Sequence, residues 1–165
     1  MLPILLDPMT VRVGLAGAGD GLARRAALLA EAGVAPVLID PSASLPVLDV
    51  VFVAGLPASD SAALAATARA VGALVNVEDV PELCDFHVPA VVRRGDLVLT
   101  VSTGGQAPGL ARRLREWLEA QFPAVWTQRM ADVGRARAGW RTDGLGPEEI
   151  SQRTRDLVSE KGWLA

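Results

Sequence analysis

Residues 11–33 read VRVGLAGAGDGLARRAALLAEAG. The apolar, partly β-branched run 11–16 has the character of a short buried strand, and it ends at glycines. From 21 to 32 the chain is rich in Ala and Leu, with Leu22, Ala26, Leu29 and Ala30 at helical spacing, and Gly33 closes the helix. Strand, glycine turn and helix in that order open a βαβ unit. Where such a unit binds a dinucleotide, the first glycine permits the tight turn and the second lets the backbone approach the pyrophosphate. A small third residue keeps the helix close to the sheet, and the helix N-terminus meets the phosphates. Gly17 and Gly19 fill the first two roles. The third position falls on Leu22, where Gly or Ala is wanted. A plain glycine-rich turn in any doubly wound domain fits the same residues.

Working outward, residues 36–39 form a second strand ended by Asp40-Pro41. Asp40 stands 21 residues beyond Gly19, close to the spacing at which an acid meets the adenosine ribose. Its carboxylate there favours NAD over NADP; the other reading is a strand terminator beside Pro41. The run 48–54 (LDVVFVA) is a third strand, nearly continuously apolar as in a sheet covered on both faces. A helix over 59–71, capped by Ser59 or Asp60, and a strand over 72–77 complete β-α-β-β-α-β with a parallel sheet. The texture then changes. Strands over 89–93 and 97–102 flank Arg94-Gly95-Asp96, and helices follow over 108–120, 123–137 and 148–161. All four tryptophans (Trp117, Trp126, Trp140, Trp163) lie in this second half. The fold expected is α/β: a Rossmann-like parallel sheet over 1–80, a small strand-plus-helix module over 81–121 and a helical tail over 122–165.

Half of the 165 residues are apolar, enough for a core in one domain or two small ones. The net charge of -3 and pI near 5.2 carry no nucleic-acid signature, although local arginines still suit an anionic ligand. A single cysteine, Cys84, excludes an internal disulfide and a cysteine metal cluster, and a lone His87 excludes a multi-histidine site. The chain shows no basic-plus-apolar leader and no run near the roughly 18 apolar residues of a membrane span. A cytoplasmic protein with neither a nucleic-acid nor a membrane partner is the expectation.

Residues 76–119, NVEDVPELCDFHVPAVVRRGDLVLTVSTGGQAPGLARRLREWLE, carry a more specific pattern. A strand ends in Asn76-Val-x-Asp79. Phe86 and Pro89 follow, then two strands, then Ser102-Thr103-Gly104-Gly105, Pro108 and Leu110-Ala111-Arg112-x-x-Arg115. In order and spacing this resembles the precorrin-2 dehydrogenase and sirohydrochlorin ferrochelatase family, the N-terminal module of sirohaem synthase. The resemblance covers about residues 1–125, and Arg24 matches the arginine that follows the family's glycine turn. It implies that NAD+ takes a hydride from precorrin-2 to give sirohydrochlorin, with iron insertion as a second activity in some members. It also implies a homodimer formed through the second module.

The family's key aspartate falls on Asp79. Aromatising a reduced pyrrolic system couples hydride loss to proton loss, and a carboxylate can take the proton; the plainer reading is a loop-closing Asp. Gly17, Gly19, Arg24, Asp40 and Asn76 are the cofactor-binding set. A macrocycle bearing eight carboxylates suits arginine forks. Arg112 and Arg115 match the family and sit on roughly one helix face, while Arg93, Arg94 and Arg113 are further candidates; surface ion pairing is the alternative for all five. Ser102, Thr103, Gly104 and Gly105 offer backbone N–H groups to cofactor or substrate, or form a hinge. His87 either helps deprotonate a pyrrole nitrogen or is a partly buried, hydrogen-bonded histidine. Cys84 reads as structural. No metal ligand set is visible.

The chain also departs from the family. Only PSASLPV separates Asp40 from Leu48, so one β-α unit is missing on the adenosine side. Ala54-Gly55-Leu56-Pro57 replaces a small-Thr-Asp-Asp pattern beside the cofactor. Two functions follow: NAD-dependent precorrin-2 dehydrogenase, or a tetrapyrrole-binding, chelatase-like protein with a vestigial NAD site. A non-catalytic structural or regulatory domain is a third.

Overall fold

The computed structural model describes residues 2–41 and 43–164. The first part runs β1 (Val13–Gly17), α1 (Gly19–Glu31), β2 (Val37–Leu38), β3 (Val50–Ala54), α2 (Ala58–Ala70) and β4 (Leu74–Val77). The four strands form one parallel sheet in the order β2-β1-β3-β4. All of β3 is buried, as its unbroken apolar run requires. Its side chains alternate between two clusters. Val51 and Val53 meet Leu64, Ala65 and Ala68 of α2, whereas Val50 and Phe52 meet Leu29 and, less buried, Leu22 and Ala26 of α1. The two helices therefore cover opposite faces, which makes the sheet doubly wound.

Among the described residues, no helix joins β2 to β3. Ile39, Leu45 and Leu48 of the connecting strap instead pack on the α2 side of the sheet. The strap lies so close to β1 that a β-carbon on Gly14 would stand 2.6 Å from the Cδ1 atoms of both Ile39 and Leu48. At its far end Asp49 locks the register. Its carboxylate accepts from the Arg12 backbone N–H at 2.8 Å and from the Arg12 guanidinium at 3.0 and 3.1 Å.

One expectation at α2 fails. Neither Ser59 nor Asp60 caps the helix, which begins at Ala58 with Pro57 in the capping position and no side-chain cap. Pro57 fixes an extended backbone there, so both polar residues fall inside the first turn, where the Ser59 hydroxyl donates to Asp60.

Beyond β4 the chain clings to the strand it has just left. A 3-10 turn spans Pro81–Leu83. Asp85 then exchanges hydrogen bonds with Val75, its N–H donating at 2.8 Å and its carboxylate accepting at 2.9 Å. Arg69 of α2 fastens the same segment through the Asp85 carboxylate and the Leu83 carbonyl. These contacts satisfy an otherwise open sheet edge. The first of two compact units therefore ends at Val88, and the second begins at Pro89.

The second unit contains an antiparallel hairpin, β5 (Ala90–Arg94) and β6 (Leu97–Val101), then α3 (Pro108–Gln121), α4 (Trp126–Thr142) and α5 (Pro147–Glu160). Arg94 donates to the Glu119 and Phe122 carbonyls and so satisfies the last turn of α3. Buried Trp126 anchors the tail: Phe122 and Trp163 pack against it with ring centroids 5.1 and 6.4 Å away, and the Arg129 guanidinium lies over both indoles. That anchor sets the start of α4. Residues 123–125 form a turn, and the helix begins at Trp126 rather than at Pro123.

Candidate functional site

The connections leaving β1 and β3 depart to opposite faces of the sheet, and ligands of doubly wound folds bind at the carboxyl ends of such a strand pair. Here the two loops interlock. A β-carbon on Gly17 would stand 2.0 Å from the Ala54 carbonyl oxygen, and one on Gly55 would stand 2.3 Å from the Ala18 carbonyl oxygen. The Ala18 N–H donates to Ala54 at 3.1 Å. Gly19 differs: it has a φ of +56° and nothing within 4 Å of its β-carbon position. It is the backbone position open to a close-approaching group. Extending the β1–β2 register by two residues brings exposed Asp40 level with Gly17.

The third small position is Gly21, not Leu22. Gly21 is buried, and a β-carbon there would stand 2.9 Å from the Gly55 backbone nitrogen and 2.8 Å from Glu78 Oε2. Leu22 turns instead into the core beside Phe52. The glycine turn and α1 therefore keep the close approach that the GxGxxG spacing seemed to deny.

Glu78 enters the crevice from the end of β4. Its side chain retains 19% of its exposure and meets Arg24 across 3.4 Å. Asp79 comes next. It is exposed, and it is the only residue other than glycine among the described residues with a positive φ, 60°. Such a backbone costs an L-residue about 1–2 kcal/mol, less for Asp than for most, and tends to persist where a site requires it. Arg25 lies with its guanidinium 5.2 Å over the Phe52 ring. Burial lowers its pKa from the usual arginine value, against the opposing pull of Glu78, Cys84 and Asp79.

Asn76 is buried and turned inward, donating at 2.9 Å to the Phe86 carbonyl. Phe86 in turn meets Phe52 edge-to-face with centroids 5.4 Å apart. The Cys84 thiol bonds the Val77 and Val80 carbonyls and accepts the Val77 N–H, so it staples the loop that carries Asp79. His87 is exposed.

The remaining predicted residues belong to the second unit. Ser102, Thr103, Gly104 and Gly105 form the turn between β6 and α3. The Ser102 hydroxyl accepts the Gly104 N–H, and that of Thr103 accepts the Ala107 N–H. On α3, Arg112 pairs with Glu116 at 3.1 Å and Arg115 pairs with Glu119. Arg112 and Arg113 hold the Glu116 carboxyl below the usual glutamate pKa. Arg94 is committed to closing α3. A cleft of about 210 Å³, lined by Arg137, Arg141, Leu145, Pro147 and Ile150, contains none of the predicted residues.

Two family models match this chain. Residues 42–90 match one described as "Putative NAD(P)-binding", and residues 94–121 match "Sirohaem biosynthesis protein central". Siroheme synthase of Stutzerimonas stutzeri is 31% identical over 203 aligned positions, covering 97% of this chain and 44% of the relative. That of Methylococcus capsulatus is 35% identical over 146, covering 74% and 31%. The chain belongs to the sirohaem synthase/precorrin-2 dehydrogenase family. It spans less than half the length of these sirohaem synthases. A solved structure titled "SirC, precorrin-2 dehydrogenase" shares the fold, with a TM-score of 0.74 at 19% identity over 100% of this chain and 93% of that one.

The alignment to the Stutzerimonas relative is longer than the whole 165-residue chain, so that relative carries additional residues. The close-packed glycines, open Gly19 and Asp40 level with Gly17 fit a dinucleotide. Glu78 and Arg25 are the residues that sequence reasoning missed. The signal for Glu78 lay in strand alternation: Val75 and Val77 face the α2 cluster, so Asn76 and Glu78 face α1. No described helix is long and apolar enough to cross a membrane.

Proposed function

We propose that this chain is a cytoplasmic, homodimeric NAD-dependent dehydrogenase that oxidises precorrin-2 to sirohydrochlorin, with ferrochelatase as a second activity. The observation that carries the reading is Asp79, held at positive φ two residues past the end of β4 on the carboxyl edge of the sheet. Gly17, Gly19 and Arg24 bind the pyrophosphate side, and Asp40 binds the adenosine ribose. NAD+, when bound, accepts the hydride. The Asp79 carboxylate accepts the proton lost from the neighbouring ring position, so the substrate gives up one hydride and one proton per double bond formed. Asn76 supports this chemistry by pinning the segment after Asp79. Ser102–Gly105 backbone groups, Arg112, Arg115 and His87 bind the carboxylate arms of the tetrapyrrole.

The homodimer is supported by α3, whose Leu110, Leu114 and Trp117 form an exposed stripe at i, i+4 and i+7.

The deciding experiment is anaerobic incubation of precorrin-2 with NAD+ and the protein, following NADH and sirohydrochlorin formation together. Wild type forms both in equal amounts, and Asp79→Asn forms neither. A second reading, a tetrapyrrole-binding or chelatase-like protein with a vestigial NAD site, is favoured by the Gly55-Leu56-Pro57 loop, which brings no polar side chain to the crevice. It predicts sirohydrochlorin binding without NADH formation.

A further inference from the structure

The first turn of α1 already has an anion beside it. Glu78 Oε2 and the Gly55 backbone nitrogen flank the same bare face of Gly21, 2.8 and 2.9 Å from its β-carbon position. The carboxylate retains only 19% of its side-chain exposure. Its ion-pair partner, Arg24, keeps 64% and lies on α1, the helix that the glycine turn opens. Glu78 therefore does two things to the crevice. It brings negative charge to the end of the helix where a pyrophosphate is stabilised. It also draws the Arg24 guanidinium toward itself and away from any phosphate. Neutral Ala, Gly, Leu and Pro make up residues 54–57, so nothing on the β3 loop offsets the charge.

We infer that Glu78 is an internal competitor for the dinucleotide: it latches Arg24 and weakens the hold of the glycine turn on the pyrophosphate. This rests on the reading of the crevice as an NAD site and adds what regulates its affinity. When the nucleotide enters, Arg24 exchanges a carboxylate for a phosphate, and Glu78 is left facing a like charge. Arg25, which interacts with Glu78 and Asp79, and Asp20 in the first turn of α1 also contribute to the local field, so Glu78→Gln removes one charge among several.

The test is Glu78→Gln, close in shape and without the charge. Calorimetric titration of wild type and variant with NAD+ and with adenosine, at low and at about 1 M salt, reads the effect directly. The variant should bind NAD+ on the order of tenfold more tightly at low salt, with adenosine affinity unchanged and the gain shrinking at high salt. Adding Arg24→Ala to Glu78→Gln should abolish the gain. Thermal melting of each variant confirms that the fold is kept. If wild type binds NAD+ and Glu78→Gln binds it equally or more weakly, as it would if Glu78 held ribose hydroxyls, the competitor role is wrong and the NAD site stands. If neither protein binds NAD+, both the site and the competitor fail.

Discussion

Gly17 and Ala54 approach so closely that a single methyl group on Gly17 would stand 2.0 Å from the Ala54 carbonyl oxygen. The obstacle is backbone, not a flexible side chain, so the carboxyl ends of β1 and β3 must part to admit it. Gly17→Ala should lower unfolding stability by about 3 kcal/mol, the upper range of overpacking effects. Gly19→Ala meets no atom within 4 Å and bears only the cost of its +56° φ, roughly 1–2 kcal/mol. Urea denaturation of the two variants should rank them in that order. The reverse ranking would mean that the two loops yield easily.

Asp79 offers a separation of stability from activity. Its φ of 60° suits glycine better than any L-residue. Asp79→Gly should therefore leave the melting temperature equal to or above that of wild type while removing sirohydrochlorin formation. The gain is limited to about 1 kcal/mol, because glycine also frees the unfolded chain. A clear loss of stability in this variant would show that the Asp79 side chain holds the loop, which is the structural reading of that residue.

Asn76 separates in the opposite direction. Its buried amide satisfies the Phe86 carbonyl at 2.9 Å, and Phe86 abuts the Phe52 ring over which Arg25 lies. Asn76→Ala strands a carbonyl and loosens that stack, at a cost of about 1–3 kcal/mol. Chemical denaturation should report the loss. Hydrogen exchange should place it first in residues 84–86, with the β1–β3 ladder still protected.

Much of this architecture was legible in advance because it rests on patterns that local physics enforces. The unbroken apolar run of β3 can only be a strand covered on both faces, and the Ala-rich segments on either side supply the covers. The GxG register was misleading because spacing alone takes the residue two beyond Asp20 as the close-packed one. The helix begins at Gly19, so the face turned to Gly55 belongs to Gly21. The cap of α2 was misplaced because Pro57 set the backbone before Ser59 was reached. Asp79 could be named from the family pattern, but its positive φ has no signature in composition. Glu78 was overlooked although strand alternation gave its side, since what it meets there, Arg24 and the Gly21 face, depends on the packing of α1.

The Arg12–Asp49 pair gives the fold a pH signature. Arg12 holds the Asp49 carboxyl below the ordinary aspartate value through side-chain and backbone hydrogen bonds. A carboxyl whose pKa is lower folded than unfolded adds stability above the unfolded value and loses it as pH falls through the folded value. Wild type should therefore melt above Asp49→Asn at neutral pH, with the two curves converging as the pH falls through the lowered pKa of folded Asp49. Both side chains are well exposed, so the difference should be small and should narrow in high salt. Curves that stay parallel down to acid pH would assign the difference to local packing of the strap.

The exposed stripe on α3 makes the last prediction. Leu110, Leu114 and Trp117 retain 54%, 39% and 56% of their surface, on a helix whose exposed positions also include Arg112 and Arg113. A second copy of the chain covering that stripe would remove most of the exposed indole from water, a gain of about 1.5–3 kcal/mol for a large side chain. Trp117→Glu places a charge at its C-terminal end and should shift the sedimentation coefficient from dimer to monomer, while the far-ultraviolet spectrum stays the same. The second unit should keep its own core, since Trp126, not Trp117, is the buried anchor. A variant that sediments as wild type does would remove α3 from the interface and leave the hairpin edge of β5–β6 as the surface to test.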